Sequence, residues 1–103
     1  MSTINQEDVE MMVENTYWAE LADALERLEK NEDFKKLILV GYLKDRALDA
    51  VSLLAREDIK RAGRRPDVME GLVAISTLQD FFYTVKAMGG AAKQDIEDAL
   101  EEQ

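Results

Sequence analysis

The sequence predicts an all-α fold: a three-helix, up-down-up antiparallel bundle of long helices with a short acidic C-terminal tail. Three observations carry that expectation. Apolar side chains recur at spacings of three and four along most of the chain, and no stretch alternates as a half-buried strand would. Breaking and capping residues cluster at "KNED", at Gly63 with Pro66, and at Gly89 with Gly90. With 103 residues there is room for one core, and about two-thirds of the unfolded surface is hidden in a domain of that size. The expected division is a helical bundle over residues 1–90 and a tail over 91–103.

The first helix is expected over residues 6–30. Val9, Met12, Val13, Thr16 and Tyr17, then Trp18, Leu21, Leu25 and Leu28, follow helical steps, with a drift of the stripe at Tyr17 and Trp18. Asn31 is placed to cap the next helix, with Glu32 and Asp33 against its positive N-terminal dipole.

The second helix covers residues 33–55. Its core stripe is read as Leu37, Val40, Ala47, Val51 and Leu54, widened by Phe34, Ile38, Leu43, Leu48 and Ala55. Apolar residues on more than one face call for contacts on two sides. Gly41 reads as a kink or a close helix crossing, and "LKDRA" as a break.

Gly63 and Pro66 make residues 57–66 a connection, after which the third helix runs from about Asp67 to Met88. Val68, Leu72, Ile75, Leu78, Phe82 and Val85 face its core, Gly71 allows a close helix approach, and Gly89 with Gly90 ends it. The remaining "AAKQDIEDALEEQ" offers only Ile96 and Leu100 as anchors, too little to hold a helix alone in water.

Composition excludes much chemistry. There is no cysteine and no histidine, hence no thiolate nucleophile, no disulfide, and neither the commonest general base nor the commonest metal ligand. Adjacent acids such as Glu7 with Asp8, Glu32 with Asp33, Glu57 with Asp58 and Glu97 with Asp98 point apart on a helix; only Glu14 and Glu20 have ambiguous faces. No catalytic residues, cofactor or metal are expected, and the chain reads as no enzyme. The start "MSTINQEDVE" lacks the pattern of a secretory signal. The longest apolar run, Leu37 to Val40 with Gly41, falls far short of the about 20 residues of a membrane span. No membrane partner is expected. A net charge of −9 also argues against casual binding to nucleic acid or anionic lipid.

Two features point to partners. Arg56, Lys60, Arg61, Arg64 and Arg65 crowd one stretch, "REDIKRAGRRPD", which reads first as a solvated loop and otherwise suits an acidic protein surface, such as the C-terminal tail of another copy, or phosphate. Against a phosphate grip stand Glu57, Asp58 and Asp67 among the cations, and no aromatic residue there to stack a base. Tyr17 beside Trp18, Tyr42, and Phe81 with Tyr83 around Phe82 cannot all face one core, and exposed rings of this kind mark protein interfaces. Met11, Met12, Met69 and Met88 add adaptable packing.

The stretch "LERLEKNEDFKKLILVGYLKDRALDAVSLLA" (25–55), together with "LVAISTLQDFFYTV" (72–85), resembles small acidic helical proteins encoded by tailed bacteriophages. The likeness covers about half the chain and rests on the Asn-x-Asp-Phe turn, the "GYLKD" step and the aromatic end of the last helix. It implies a phage accessory, in the virion or the host cytoplasm. That accessory either takes part in virion assembly or meets a host protein. The resulting expectation is a homo-oligomer that binds another phage or host protein. An acidic inhibitor of a host protein, of the anti-defence or DNA-mimic type, is the alternative, and a nucleic-acid binder using residues 56–65 the second.

Overall fold

The computed structural model describes residues 6–102, and every element among them is helical. The first five residues and Gln103 lie outside the described residues, so of the N-terminal stretch read for a signal only residues 6–10 are described, as helix. There are four helices, where the sequence led us to expect three. The first, α1, is Gln6–Glu29. The second, α2, is one rod in three parts: Glu32–Phe34, a π-helical Lys35–Arg46, and Ala47–Leu54, with right-handed helical backbone at both junctions. The short α3 is Glu57–Arg61, and α4 is Arg65–Glu101.

The start of α2 follows from its sequence. Phe34 N–H donates to Asn31 Oδ1 at 2.9 Å, satisfying a first-turn donor, and Glu32 and Asp33 sit in that turn. No break falls at "LKDRA". The chain instead widens its turns into i→i+5 hydrogen bonds for twelve residues, far beyond the single-turn bulge in which that geometry is commonly met. Gly41 lies inside this segment, where a Cβ would stand 3.0 Å from the carbonyl oxygen of Lys36, five residues back in the same rod. Its role is therefore to accommodate the wide turn, and no other helix crosses there.

The connection expected over 57–66 contains α3. Gly63, at φ +67°, takes the left-handed conformation that ends a helix, and its N–H reaches the Lys60 carbonyl at 3.1 Å. Pro66 falls in the first turn of α4, where its missing N–H leaves nothing unsatisfied. At the other end, Gly89 and Gly90 do not stop α4, which continues through residues expected to form a tail.

The chain divides into two compact units. One is built from residues 6–27 and 82–102, the other is Leu28–Phe81. In the first, Leu25 of α1 and Val85 and Ala92 of α4 are buried, the last two at 2% exposure. Gly89 explains how α4 stays close to α1: a Cβ there would lie 2.3 Å from Ala22 Cβ and 3.0 Å from the Trp18 carbonyl oxygen. Only hydrogen fits between the two rods. Lys93 Nζ donates to Asp23 Oδ1 beside this crossing, and it joins residues 70 apart in sequence. Ala92 and Lys93 thus tie down the segment that looked too charged to stay helical alone.

In the second unit Ile75 is the buried apolar side chain among the described residues. Arg65 Nε donates to the Leu54 carbonyl at 3.1 Å, so the start of α4 satisfies an otherwise orphaned acceptor at the end of α2. The stripe expected on α2 does not form a core. Leu37 is 70% exposed, and Val40, Leu48 and Val51 are exposed as well. Leu37 and Val40 lie in the π segment, whose wider turns change which residues share a face, while Leu48 and Val51 lie in the α-helical part that follows. On α1 the first half of the stripe, Val9, Met12, Val13, Thr16 and Tyr17, is also exposed, as is Leu28. Gly71 does not serve a close approach, since a Cβ there would meet nothing within 4 Å.

Candidate functional site: an apolar groove on the second unit

Within the second unit, α2 and the first part of α4 enclose a groove of about 1060 Å³. Leu37, Tyr42, Ala50 and Leu53 of α2 face Val68, Gly71, Ala74 and Ile75 of α4 across it. Lys36, Arg46 and Arg64, with Asp33, Asp49 and Asp67, supply its charged margin. The π segment explains the α2 wall. Lys36, Gly41 and Arg46 recur every five residues, as do Leu37 and Tyr42, so each set lies along one side of the widened helix. From Arg46 onward the lining positions 46, 49, 50 and 53 return to steps of three and four. Gly71 and Ala74 keep the α4 wall low.

Small pockets of the catalytic kind hold convergent polar groups. No buried side-chain polar atom among the described residues lacks a hydrogen-bond partner. The groove is an apolar trough, suited to apolar side chains.

The structure places the sequence-predicted residues as follows. Tyr42 is half-buried in the groove wall. Tyr17 is exposed and meets the half-buried Trp18 edge-on, with ring centroids 5.5 Å apart and planes at 72°. Phe81 and Tyr83 are exposed, as are Met11, Met12, Met69 and Met88. Tyr42 and Phe81 belong to the second unit, Tyr17, Trp18 and Tyr83 to the first.

Nor do the five cations form one grip. Arg56 forks onto Asp58, Nη2 to Oδ2 at 2.7 Å and Nε to Oδ1 at 3.0 Å, and this hydrogen bond holds the Asp58 carboxyl below the usual carboxylate range. Arg64 lies 3.8 Å from Asp67, and Arg65 is engaged with the Leu54 carbonyl. Lys60 and Arg61 point from an exposed turn. Glu14 and Glu20 are exposed, and among the described residues no three acids converge as metal ligands would. No helix among those residues is long and apolar enough to cross a membrane.

The sequence reading missed the groove because it belongs to no single element. Its one visible trace was the five-residue recurrence of Lys36, Gly41 and Arg46, which a search for α-helical steps passes over. The chain matches no family model, no curated protein and no solved structure.

Proposed function

We propose that the protein is a non-enzymatic helical interaction protein that works as a homo-oligomer, encoded by a bacteriophage and serving virion assembly in the host cytoplasm or in the virion itself. One observation carries the interaction reading. Among the described residues sixteen large apolar side chains are exposed, while four apolar residues are buried. Single exposed apolar residues are ordinary, but rows of them on helices beside an open trough are surfaces that association covers. In this reading the three long rods complete an up-down-up bundle only in the assembly. The phage setting rests on the resemblance of residues 25–55 and 72–85.

Sedimentation velocity at micromolar concentration tests the oligomer. We expect a mass above that of the 11.7 kDa chain, and a clean monomer across that range would overturn the proposal.

The net charge of −9 favours a second reading, an acidic inhibitor of a host protein. Retention of one host enzyme at one-to-one stoichiometry from a bacterial lysate would move us to it. Binding to nucleic acid through residues 56–65 is weakened by the engagement of Arg56, Arg64 and Arg65 within the chain itself.

A further inference from the structure

The winding of α2 and the spacing of its apolar residues disagree. Residues 35–46 are wound as a π-helix, yet Leu37, Val40, Leu48 and Val51 are spaced for an α-helix: at 3.6 residues per turn all four fall within about 80° of one another around the rod. In the structure they are parted. Leu37 lines the groove with Arg46, Asp49, Ala50 and Leu53, whereas Val40, Leu48 and Val51 do not, and all four apolar side chains are exposed. Nothing at the ends of the segment pins its winding, since Phe34 and Ala47 both have ordinary right-handed helical backbone. Nor does packing pin it, because none of its twelve residues is buried. One position does favour the wide turns. A Cβ at Gly41 would stand 3.0 Å from the carbonyl oxygen of Lys36, the acceptor that an i→i+5 bond uses, while alanine is the residue an α-helix tolerates best.

We infer that residues 35–46 are a two-state winding, π in the structure described here and α in a second, less populated form. The change trades one surface for another. With Ala47–Leu54 held in place, α winding carries Leu37 out of the groove wall and round to Val40, Leu48 and Val51, completing an apolar row on the other side of α2. Tyr42 keeps to the groove side, because it precedes Arg46, Asp49 and Leu53 by α-helical steps of four, seven and eleven. The inference requires no particular partner: whatever binds the completed row draws the rod toward α, and whatever fills the groove against Leu37 draws it toward π.

The chain has no histidine, so introduced pairs supply the only imidazoles for a divalent ion such as Ni²⁺. Leu37→His with Val40→His places two of them three apart, neighbours in an α-helix; Val40→His with Asp45→His places them five apart, neighbours in a π-helix. All three positions are exposed. Each full-length double variant should bind Ni²⁺ about tenfold or more tightly than its single-histidine controls, because the ion stabilises the winding that brings its pair together. Adding Gly41→Ala should tighten the three-apart pair by about fivefold and leave the five-apart pair with no gain. A three-apart pair no better than its controls leaves π winding alone, a five-apart pair no better than its controls leaves α winding alone, and either result overturns the switch. Circular dichroism verifies helix content. Should a histidine pair lose helix, scalar couplings across hydrogen bonds decide the same point: the acceptor of the N–H at position 41 should shift from the Lys36 carbonyl in the unaltered chain to the Leu37 carbonyl in Gly41→Ala. An acceptor that stays the same in both chains overturns the inference.

Discussion

The two units solve the same problem with opposite means. The first brings helices so close that Gly89 must lack a side chain, shuts Leu25, Val85 and Ala92 away from water, and adds an ion pair across the crossing. The second holds its helices apart, buries Ile75, and leaves a trough between them. Small residues in the first, Ala22, Gly89 and Ala92, make a tight seam. Small residues in the second, Gly71 and Ala74, make an opening. A small side chain therefore says nothing by itself about proximity; what matters is whether the facing rod comes to meet it.

That contrast can be broken most forcefully at Ile75. Replacing it by alanine should destabilise the protein by about 2 kcal/mol or more, read from the urea midpoint, because the second unit has no other buried apolar side chain among the described residues to share the loss. The glycines sharpen the comparison next. Gly89→Ala should destabilise by about 1–3 kcal/mol, since neither Ala22 Cβ nor the Trp18 carbonyl can move without shifting a helix. Gly71→Ala, on the same helix, should stabilise by about 1 kcal/mol, because its new methyl meets open space and the helix loses a flexible residue. Equal effects at the two positions would erase the distinction drawn here.

The smallest effect is expected from the ion pair across the first unit. Its hydrogen bond holds Asp23 below the ordinary carboxylate value of 3.8 and raises Lys93 above the ordinary amine value of 10.5. A lowered carboxylate stabilises the fold above its unfolded value, and the benefit is lost as pH falls through its native value. A raised amine stabilises below its unfolded value, and the benefit is lost as pH rises through its native value. The melting difference between the unaltered chain and Lys93→Met should accordingly narrow below pH 3.8 and above pH 10.5, and stay level between them. Both groups are exposed, so solvent and salt keep the difference small throughout.

How much of this was legible in advance depends on whether local chemistry or distant packing decided the outcome. The all-helical character, the bounds of α1 and the Asn31 cap were readable because capping and periodicity are local. Leu25, Ile75 and Val85 lie on the stripes that predicted them. The π segment was not readable from a scheme that assumes 3.6 residues per turn throughout, and its misreading carried the α2 core stripe with it. The two glycines after Met88 carry the local mark of a helix end, yet α1 overrides it by seating Gly89 against Ala22. Of the candidate site, Tyr42 was singled out among rings that cannot all face one core and it lines the trough, which itself arises from two rods that no single stretch of sequence describes. The cation cluster and the acids Asp58 and Asp67 that offset it were visible, but not the engagement of Arg65 by the Leu54 carbonyl, which depends on where α2 ends.

The order of the units along the chain has a kinetic corollary. The grooved unit is one continuous stretch, while the acidic unit is assembled from the two ends on either side of it, with Asp23 and Lys93 meeting across 70 positions. Short-range pairings form quickly and long-range ones wait on the closure of the intervening loop. The trough should accordingly take shape before the seam that buries Val85.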